Sequence, residues 1–421
     1  MFERPSSGER AVLVHFELTD QKDSEDLHEL EELVVSAGSI PVALLKGKRR
    51  QPAPGFFVGS GKLEELAELI ENNDAQVVFF NHVLNPRQER NLEKQLECRV
   101  VDRTGLILDI FAQRAQSHEG KLQVELAQLQ HMQSRLVRGW THLDRQKGGI
   151  GLKGAGETQV EMDQRMLQER IQSVNKKLAR VLKQRHQSRR SRQRSETPLV
   201  SLVGYTNSGK STLFNRLTNA GVYQADQLFA TLDSTLRKTA IPGLGDVVLA
   251  DTVGFIRHLP HQLVTAFRAT LEETSEADLL LEVVDCYDDE RSQKIASVKE
   301  VLLEIEADKV PLLQVFNKID QQPNQPSQID RDDEGNPIRV WLSAQTGEGI
   351  DLLLQAIGER LSNRMIDRKI KLQPSQGKLR AKLYSIGAIS AEQIDPEGNF
   401  DLQIRISDRE FGKLFKQDQA V

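Results

Sequence analysis

Residues Gly204 to Ser211, GYTNSGKS, carry the clearest chemical signal in this sequence. They match G-x-x-x-x-G-K-[ST], follow the apolar segment PLVSLV and precede the helical pattern TLFNRLTNA. Such a loop turns backbone N–H groups and the positive end of a helix toward phosphates. Lys210 can reach the outer phosphates, and the Ser211 hydroxyl can bind Mg²⁺. The pattern predicts a nucleotide site that includes Gly204, Tyr205, Thr206, Asn207, Ser208, Gly209, Lys210 and Ser211.

DTVGF, residues 251 to 255, ends the apolar run VVLADT and predicts the contact with the terminal phosphate. Asp251 can hold Mg²⁺ through water and the Gly254 N–H can meet the γ-phosphate, with Thr252 and Val253 between them. Phe255 stands where the best-studied GTP-hydrolysing switches have a glutamine that orients water. Turnover by the isolated chain is therefore expected to be slow.

Three sources of help for hydrolysis remain open. Asn207 resembles the asparagine that helps to hold K⁺ in potassium-assisted GTPases, or it only stabilises the turn of its loop. A partner that orders the switch is the second source. His258, shortly after DTVGF, is the third and the least favoured.

NKID, residues 317 to 320, follows the apolar segment PLLQVF and predicts a preference for guanine. Asp320 can accept hydrogen bonds from the guanine ring N–H and the exocyclic amine, which adenine cannot supply. Asn317 would support the purine edge and the Lys318 stem would lie along the base, with Ile319 between. SAQTG then offers backbone N–H groups to the guanine oxygen from Ser343, Ala344 and Gln345. A site built around such polar edges rejects the analogue that lacks them.

In GTP-hydrolysing switch proteins, a mobile segment between the phosphate loop and the D-x-x-G motif supplies a threonine ligand to Mg²⁺. In this sequence that segment, the switch, lies between Ser211 and Asp251. Thr231 in FATLDST and Thr235 are both candidates, and Thr231 is preferred. We assign catalysis to Lys210, Thr231 and Gly254. Metal binding is assigned to Ser211, Thr231 and, through water, Asp251.

The surrounding elements predict a multidomain α/β protein of 421 residues. Residues 1–113 alternate strand-like and helical segments, as in a small parallel α/β domain. Residues 114–196 predict a long helical hairpin with a glycine-rich tip. Residues 197–362 predict a Ras-like P-loop G domain, with 321–337 as a polar surface loop. Residues 363–421 predict a short α+β domain with strands at AKLYSI and FDLQIRIS and a helix at DREFGKLFKQ.

The hairpin is the basic part of an acidic chain. Residues 114–194 hold 18 Lys and Arg against 7 Asp and Glu, whereas the whole chain has a net charge of -5. The run 176–194 has nine basic residues and no acid, so pairing within the helix cannot explain it. Structured RNA, rather than DNA, is the expected partner. At the tip, Trp140 can stack on a base or can equally be a packed indole.

Two further motifs resemble nucleotide sites. GIGLKG fits the dinucleotide fingerprint, but it lies between helices without a βαβ unit, so that interpretation is rejected. GFFVGSGKL lacks the spacing of a phosphate loop, and a weak second nucleotide site there remains open. Cys98 and Cys286 have no C-x-x-C partner and are expected to be ordinary reduced thiols. Neither a secretory signal nor a membrane-spanning run is expected.

GYTNSGKSTLFN, DQLFATLDSTLR, LADTVGFIRHLP, NKID and SAQTG together resemble the HflX-type GTPases of the translation-factor-related class. The resemblance extends to FVGSGK and RGWTHLDRQKGGIGLKGAGETQ and so spans nearly the whole chain. It implies Thr231 as the switch ligand of Mg²⁺, and it implies a hydrophobic residue after DTVG. The predicted nucleotide site then includes the neighbours of this threonine, Phe229, Ala230, Leu232 and Asp233.

The resemblance also implies a function. It implies a cytoplasmic GTPase that binds the large ribosomal subunit and its rRNA, dissociates idle or stalled ribosomes under stress, and hydrolyses GTP with Mg²⁺. A monomer is expected. Two alternatives remain open: an assembly factor for immature large subunits, and a non-ribosomal regulatory GTPase.

Overall fold

The computed structural model describes residues 8–19, 26–139, 159–194, 197–218, 228–229, 235–242, 244–256, 273–321, 325–362, 365–385, 387–395, 398–407 and 414. The chain forms two compact units. The first comprises Met1–Leu182, Tyr223–Ser234 and Val253–Leu271, and the second comprises Lys183–Val222, Thr235–Thr252 and Glu272–Val421. Within the described part of the chain, no helix is long and apolar enough to cross a bilayer.

The first unit contains a parallel four-stranded sheet in the order β2-β1-β3-β4, as the alternating sequence pattern predicts. Its strands are β1 Arg10–Leu18, β2 Ile40–Arg49, β3 Val77–Phe80 and β4 Arg99–Asp102. Its helices are α1 Leu27–Ser36, α2 Ser60–Asn72, α3 Pro86–Leu96 and α4 Arg103–Arg114. Every residue of β3 is buried, which is typical of a parallel strand covered on both faces.

The hairpin consists of α5 His118–Gly139 and α6 Gln159–Arg194. The predicted leucine spacing is confirmed, because a common apolar core joins the two helices through Leu122, Leu126, Leu129, Val174 and Leu178. The glycine-rich tip, including Trp140, lies outside the described residues.

The hairpin is also tied to the preceding domain. Arg135 on α5 donates to Asp102 Oδ2 at 2.8 Å and forms an ion pair with Glu89 of α3. The Asp102 carboxylate is buried and also accepts from the backbone N–H groups of Leu84 and Gly105. Burial removes the water that would otherwise hydrogen-bond this carboxylate. The arginine and the two N–H groups take the place of that water. The helix α5 is therefore part of the packing of the N-terminal domain.

The second unit contains a seven-stranded sheet in the order β10-β11-β9-β8-β5-β7-β6. The strands are β5 Leu199–Val203, β6 Thr235–Ile241, β7 Gly245–Asp251, β8 Leu279–Asp285, β9 Leu312–Asn317, β10 Gln328–Arg331 and β11 Pro337–Trp341. The helices are α7 Lys210–Thr218, α8 Arg291–Glu304 and α9 Ile350–Ser362. The inner strands are parallel, and the edge strands β6 and β10 are antiparallel to their neighbours.

One prediction in this domain is wrong. Residues 321–337 do not form only a polar loop, because β10 pairs with β11 as an antiparallel hairpin. Ile329 of β10 packs against the domain core, and the Asp332 carboxylate closes the turn by accepting from the Asn336 N–H at 2.7 Å. A turn of this kind is favoured by Asp and Gly, so the polar composition marks the turn and hides the short strand.

The C-terminal residues form an antiparallel sheet of β12 Met365–Leu372, β14 Phe400–Ser407 and β13 Ile389–Ile394, with helix α10 Gly377–Ser385. The strand at FDLQIRIS is confirmed. The strand predicted at AKLYSI is wrong, because these residues lie mostly in α10. Leu379 and Leu383, four residues apart, face the same core, and this spacing fits a helix. The predicted helix at DREFGKLFKQ lies outside the described residues, except for the buried Leu414.

Candidate active site

The phosphate loop connects β5 to α7 at the carboxyl edge of the sheet. Gly204 has φ +141°, and a Cβ there would collide with the carbonyl oxygen of Val283 in β8. Gly209 has φ +93°, and a Cβ there would collide with the side-chain amide of Asn317. Both glycines are therefore required by backbone conformation and by space. Between them, Asn207 is exposed and adopts φ +60°.

Lys210 begins α7 and is buried. Its Nζ donates to the carbonyl of Tyr205, within the same loop, at 2.6 Å. Burial lowers the pKa of this ammonium to about 8, and the nearby Asp251 carboxylate partly opposes that shift. An incoming phosphate would stabilise the charged form, so the loop holds a cation whose solvation is incomplete until an anion binds.

Ser211 and Asp251 meet beside this lysine. The Ser211 hydroxyl donates to Asp251 Oδ2 at 2.8 Å, and Asp251 is fully buried at the end of β7. A hydroxyl and a carboxylate are hard oxygen ligands of the kind that Mg²⁺ prefers. The pair therefore fits the predicted metal assignment. Thr235, the alternative switch threonine, is the register partner of Asp251 across β6 and β7.

Residues 252 to 256 are buried. The Thr252 hydroxyl donates to the carbonyl of Leu202 at 2.5 Å, which fixes the start of the segment against β5. Phe255 is 2% exposed. An apolar ring in this position belongs to the packing of the protein and has no polar atom with which to orient a water.

Asn317 connects the guanine segment to two other loops. Its Nδ2 donates to the carbonyl of Ser208 in the phosphate loop at 2.9 Å, and its Oδ1 accepts from the Ala344 N–H at 2.8 Å. The predicted nucleotide residues at 204–211, 317–320 and 343–345 are thus brought together. The Ala344 N–H, predicted to face the guanine oxygen, is directed at Asn317 in this structure.

The other members of the guanine segment are held by partners that the sequence did not reveal. The Ser343 hydroxyl donates to Asp320 Oδ1 at 2.5 Å, and Lys318 Nζ contacts Asp285 Oδ2 at 2.7 Å. Ile319 is buried beneath them. Asp285 escaped sequence reasoning, although a carboxylate at the end of the apolar strand LLLEVVD is a signal for a site residue.

Between Thr218 and Thr235, the structure describes only Leu228 and Phe229. Phe229 is buried, with its ring 4.6 Å from that of Phe111 in an edge-to-face contact, and the Leu228 N–H donates to Ser36 Oγ at 3.1 Å. All four residues belong to the first compact unit. The other predicted switch residues, Ala230, Thr231, Leu232 and Asp233, lie outside the described residues, as does His258. The assignment of this segment to the nucleotide stays a prediction.

The class of P-loop GTPases is defined by a phosphate loop, a serine–aspartate pair and a guanine segment at the carboxyl ends of the parallel strands of a sheet. Four family models match in chain order: "GTP-binding GTPase N-terminal" over 24–112, "GTP-binding GTPase Middle Region" over 114–192, "50S ribosome-binding GTPase" over 199–318 and "HflX C-terminal domain" over 329–417. The chain belongs to the HflX family of GTPases, and it is a GTP hydrolase.

Two relatives that share the name GTPase HflX match over most of their length. GTPase HflX of Escherichia coli is 56% identical over 421 residues, which are 100% of this chain and 99% of the relative. GTPase HflX of Magnetococcus marinus is 46% identical over 92% of this chain and 90% of the relative. Among solved structures, a GTP-binding protein of Sulfolobus solfataricus in complex with GDP is 25% identical, with 84% of this chain and 99% of that chain covered and a TM-score of 0.45.

Proposed function

We propose that this GTPase binds the large ribosomal subunit through its rRNA and dissociates idle or stalled ribosomes in the cytoplasm. GTP would favour the ribosome-bound state, and hydrolysis to GDP would release a monomeric factor. The size of such a switch is limited by the difference in ribosome affinity between the two nucleotide states. The match to a family model described as a 50S ribosome-binding GTPase supports this proposal.

The observation that carries the proposal is the basic surface of α6. Lys176, Lys177, Arg180 and Lys183 are exposed, and the sequence from 176 to 194 contains no acidic residue. A solvated helix face normally mixes both signs of charge. A run of one sign fits a phosphate backbone, whose condensed counterions are released when lysine and arginine bind.

Each residue of the candidate active site would have a separate role in binding or hydrolysis of GTP. Lys210 would neutralise charge on the outer phosphates, and the Gly254 N–H would bind the γ-phosphate. Ser211 and Thr231 would bind Mg²⁺ directly and Asp251 would hold it through water. The bound metal would help to neutralise the charge that develops during phosphoryl transfer. Since Phe255 cannot orient the attacking water, the missing group would come from the ribosome or from a K⁺ ion near Asn207.

GTP turnover with and without purified large subunits tests this proposal. Turnover by the protein alone should be slow, and large subunits should raise it by about 10³-fold or more, as partners do for other switches. Density-gradient separation should show ribosomes converted to free subunits in the presence of GTP. Fast turnover that large subunits leave unchanged would contradict the proposal. Binding to precursor particles without splitting of mature ribosomes would replace it with an assembly role.

The RNA contact has its own test. Replacement of Lys176, Lys177, Arg180 and Lys183 by Gln should weaken ribosome binding and flatten its dependence on salt. A matched variant changes four exposed basic residues of the GTPase domain to Gln, namely Arg237, Lys238, Lys299 and Lys309. Equal loss of binding in both variants would show that overall charge, and not α6, attracts the ribosome.

A comparison of K⁺ with Na⁺ buffer separates the two sources of catalytic help. If Asn207 holds K⁺, turnover in the presence of subunits should fall in Na⁺, and Asn207→Ala should remove the difference between the two ions. Equal turnover in both ions would assign Asn207 to the turn of the phosphate loop, where its φ of +60° favours asparagine.

A further inference from the structure

Arg216 lies outside every nucleotide motif, on the helix that follows the phosphate loop. Its Nε donates to the carbonyl of Ala344 at 3.3 Å, and its Nη2 donates to the carbonyl of Gln345. The two carbonyls are consecutive in the 343–347 loop. The planar guanidinium is suited to this task, because its donors form a rigid fork that can bind two acceptors at once.

Two further hydrogen bonds fix the shape of this loop. The Ala344 N–H donates to Asn317 Oδ1 at 2.8 Å, and the Thr346 N–H donates to the Ser343 hydroxyl at 3.1 Å. A trans peptide places its N–H opposite the preceding carbonyl. When Arg216 binds the carbonyls of Ala344 and Gln345, the N–H groups of the same two peptides, at Gln345 and Thr346, therefore point away from Arg216.

The contact is also close in space. Gly347 has φ +93°, and a Cβ at this position would lie 3.4 Å from the Arg216 guanidinium carbon. The guanidinium thus lies along the loop from Ala344 to Gly347. Without the guanidinium, these carbonyls would bind water, and the loop could adopt other orientations. The guanidinium takes the place of that water and holds the loop in one orientation.

We propose that Arg216 is a positioning residue for guanine recognition. By holding the Ala344 carbonyl, it fixes the direction of the N–H that follows in the same peptide, at Gln345, which is predicted to meet the oxygen at C6 of guanine. The proposal rests on the assignment of this loop to the guanine base. It also makes α7 a single element that carries Lys210 and Ser211 to the phosphates at one end and supports the base loop further along.

Competition against a fluorescent GDP on the full-length protein tests the proposal with three ligands. GDP has the C6 oxygen, 6-thio-GDP replaces it with a poor acceptor, and IDP lacks only the 2-amino group. Arg216→Ala should lower GDP affinity about tenfold, as expected for a lost set of charge-assisted hydrogen bonds. The preference for GDP over 6-thio-GDP should shrink by a similar factor, whereas the preference for GDP over IDP should persist. In steady state, the KM for GTP should rise more than kcat falls.

Two further variants complete the experiment. Arg216→Lys keeps the charge and the helix propensity but loses the fork, so it should reproduce most of the effect and decides the question if the alanine variant does not fold. Arg331→Ala removes another arginine of the same domain, paired with Glu359 at 2.6 Å, and should change none of the three affinities. Wild-type GDP affinity in both Arg216 variants, or an equal loss for all three ligands, would overturn the proposal. An Asn317→Ala variant with unchanged affinity would instead overturn the guanine assignment of the whole region.

Discussion

The side-chain amide of Asn317 donates to the carbonyl of Ser208 at 2.9 Å and so fastens the guanine segment to the phosphate loop. The same side chain accepts from the Ala344 N–H, and it is buried. One residue thus holds together three loops that follow different strands. We therefore expect its removal to displace both predicted subsites, for the phosphates and for the base.

Asn317→Ala should lower GDP and GTP affinity by about 100-fold, because two buried groups lose partners that each contribute about 1–3 kcal/mol. Titration with a fluorescent guanine nucleotide measures the change. Asn336→Ala is the matched control, since this asparagine binds Asp332 in the β10–β11 turn of the same domain. Unchanged affinity in the Asn317 variant would contradict this prediction and, with it, the assignment of these loops to guanine.

Lys210 makes nucleotide binding depend on pH. Burial places its pKa at about 8 in the free protein, and a bound phosphate should raise that pKa. Below pH 8 the lysine is already charged in the free protein, so nucleotide binding should be accompanied by little uptake of protons from the solution. As pH rises through 8, the free protein loses the proton that the complex keeps, so affinity should fall and binding should take up a proton. Calorimetry at pH 7 and pH 8.5, in buffers of different ionisation enthalpy, measures this uptake. Equal uptake at both pH values would contradict the prediction.

Phe255→Gln should not create a faster enzyme. The ring is 2% exposed, so the change removes apolar packing and buries an amide. We expect a loss of about 3–5 kcal/mol in the free energy of unfolding, measured with urea, and no gain in intrinsic turnover. Phe255→Leu should cost only about 1 kcal/mol. A glutamine variant that is stable and hydrolyses GTP faster would show that the side chain at 255 can reach the attacking water.

Asp102→Asn should loosen the hairpin from the N-terminal domain. The change removes a buried charge from Arg135, whose side chain is itself largely buried. The cost should be about 3–5 kcal/mol in the free energy of unfolding. Arg170→Ala is the control, because Arg170 pairs with Glu125 on the exposed side of the hairpin and should contribute about 1 kcal/mol or less. Equal effects of the two variants would contradict a special role for the buried pair.

The segments that the structure brings together at the candidate site could be predicted where their pattern is local in the sequence. Gly209, Lys210 and Ser211 are consecutive, and NKID follows a strand whose apolar character places it at the edge of the sheet. The alternation of strands and helices in the N-terminal domain and the helical spacing of leucines in the hairpin could be predicted for the same reason. These patterns express periodicities of single elements, which do not depend on distant contacts.

The parts that sequence reasoning missed depend on contacts between distant residues. Arg216 and Ala344 are separated by 128 positions, and nothing in TLFNRLTNA marks the arginine as different from a solvated one. The strand β10 is short and polar, and α10 contains an apolar pattern too brief to separate helix from strand. In each case tertiary packing outweighed local preference.

The narrow clearance at Gly209 has a consequence for how this protein can diverge. A single methyl group there would strike the Asn317 amide, so a change in the phosphate loop would also displace the segment that is predicted to recognise guanine. The converse also holds, since a larger side chain at 317 would press on the loop that wraps the phosphates. The residues at 209 and 317 therefore cannot change size independently of each other.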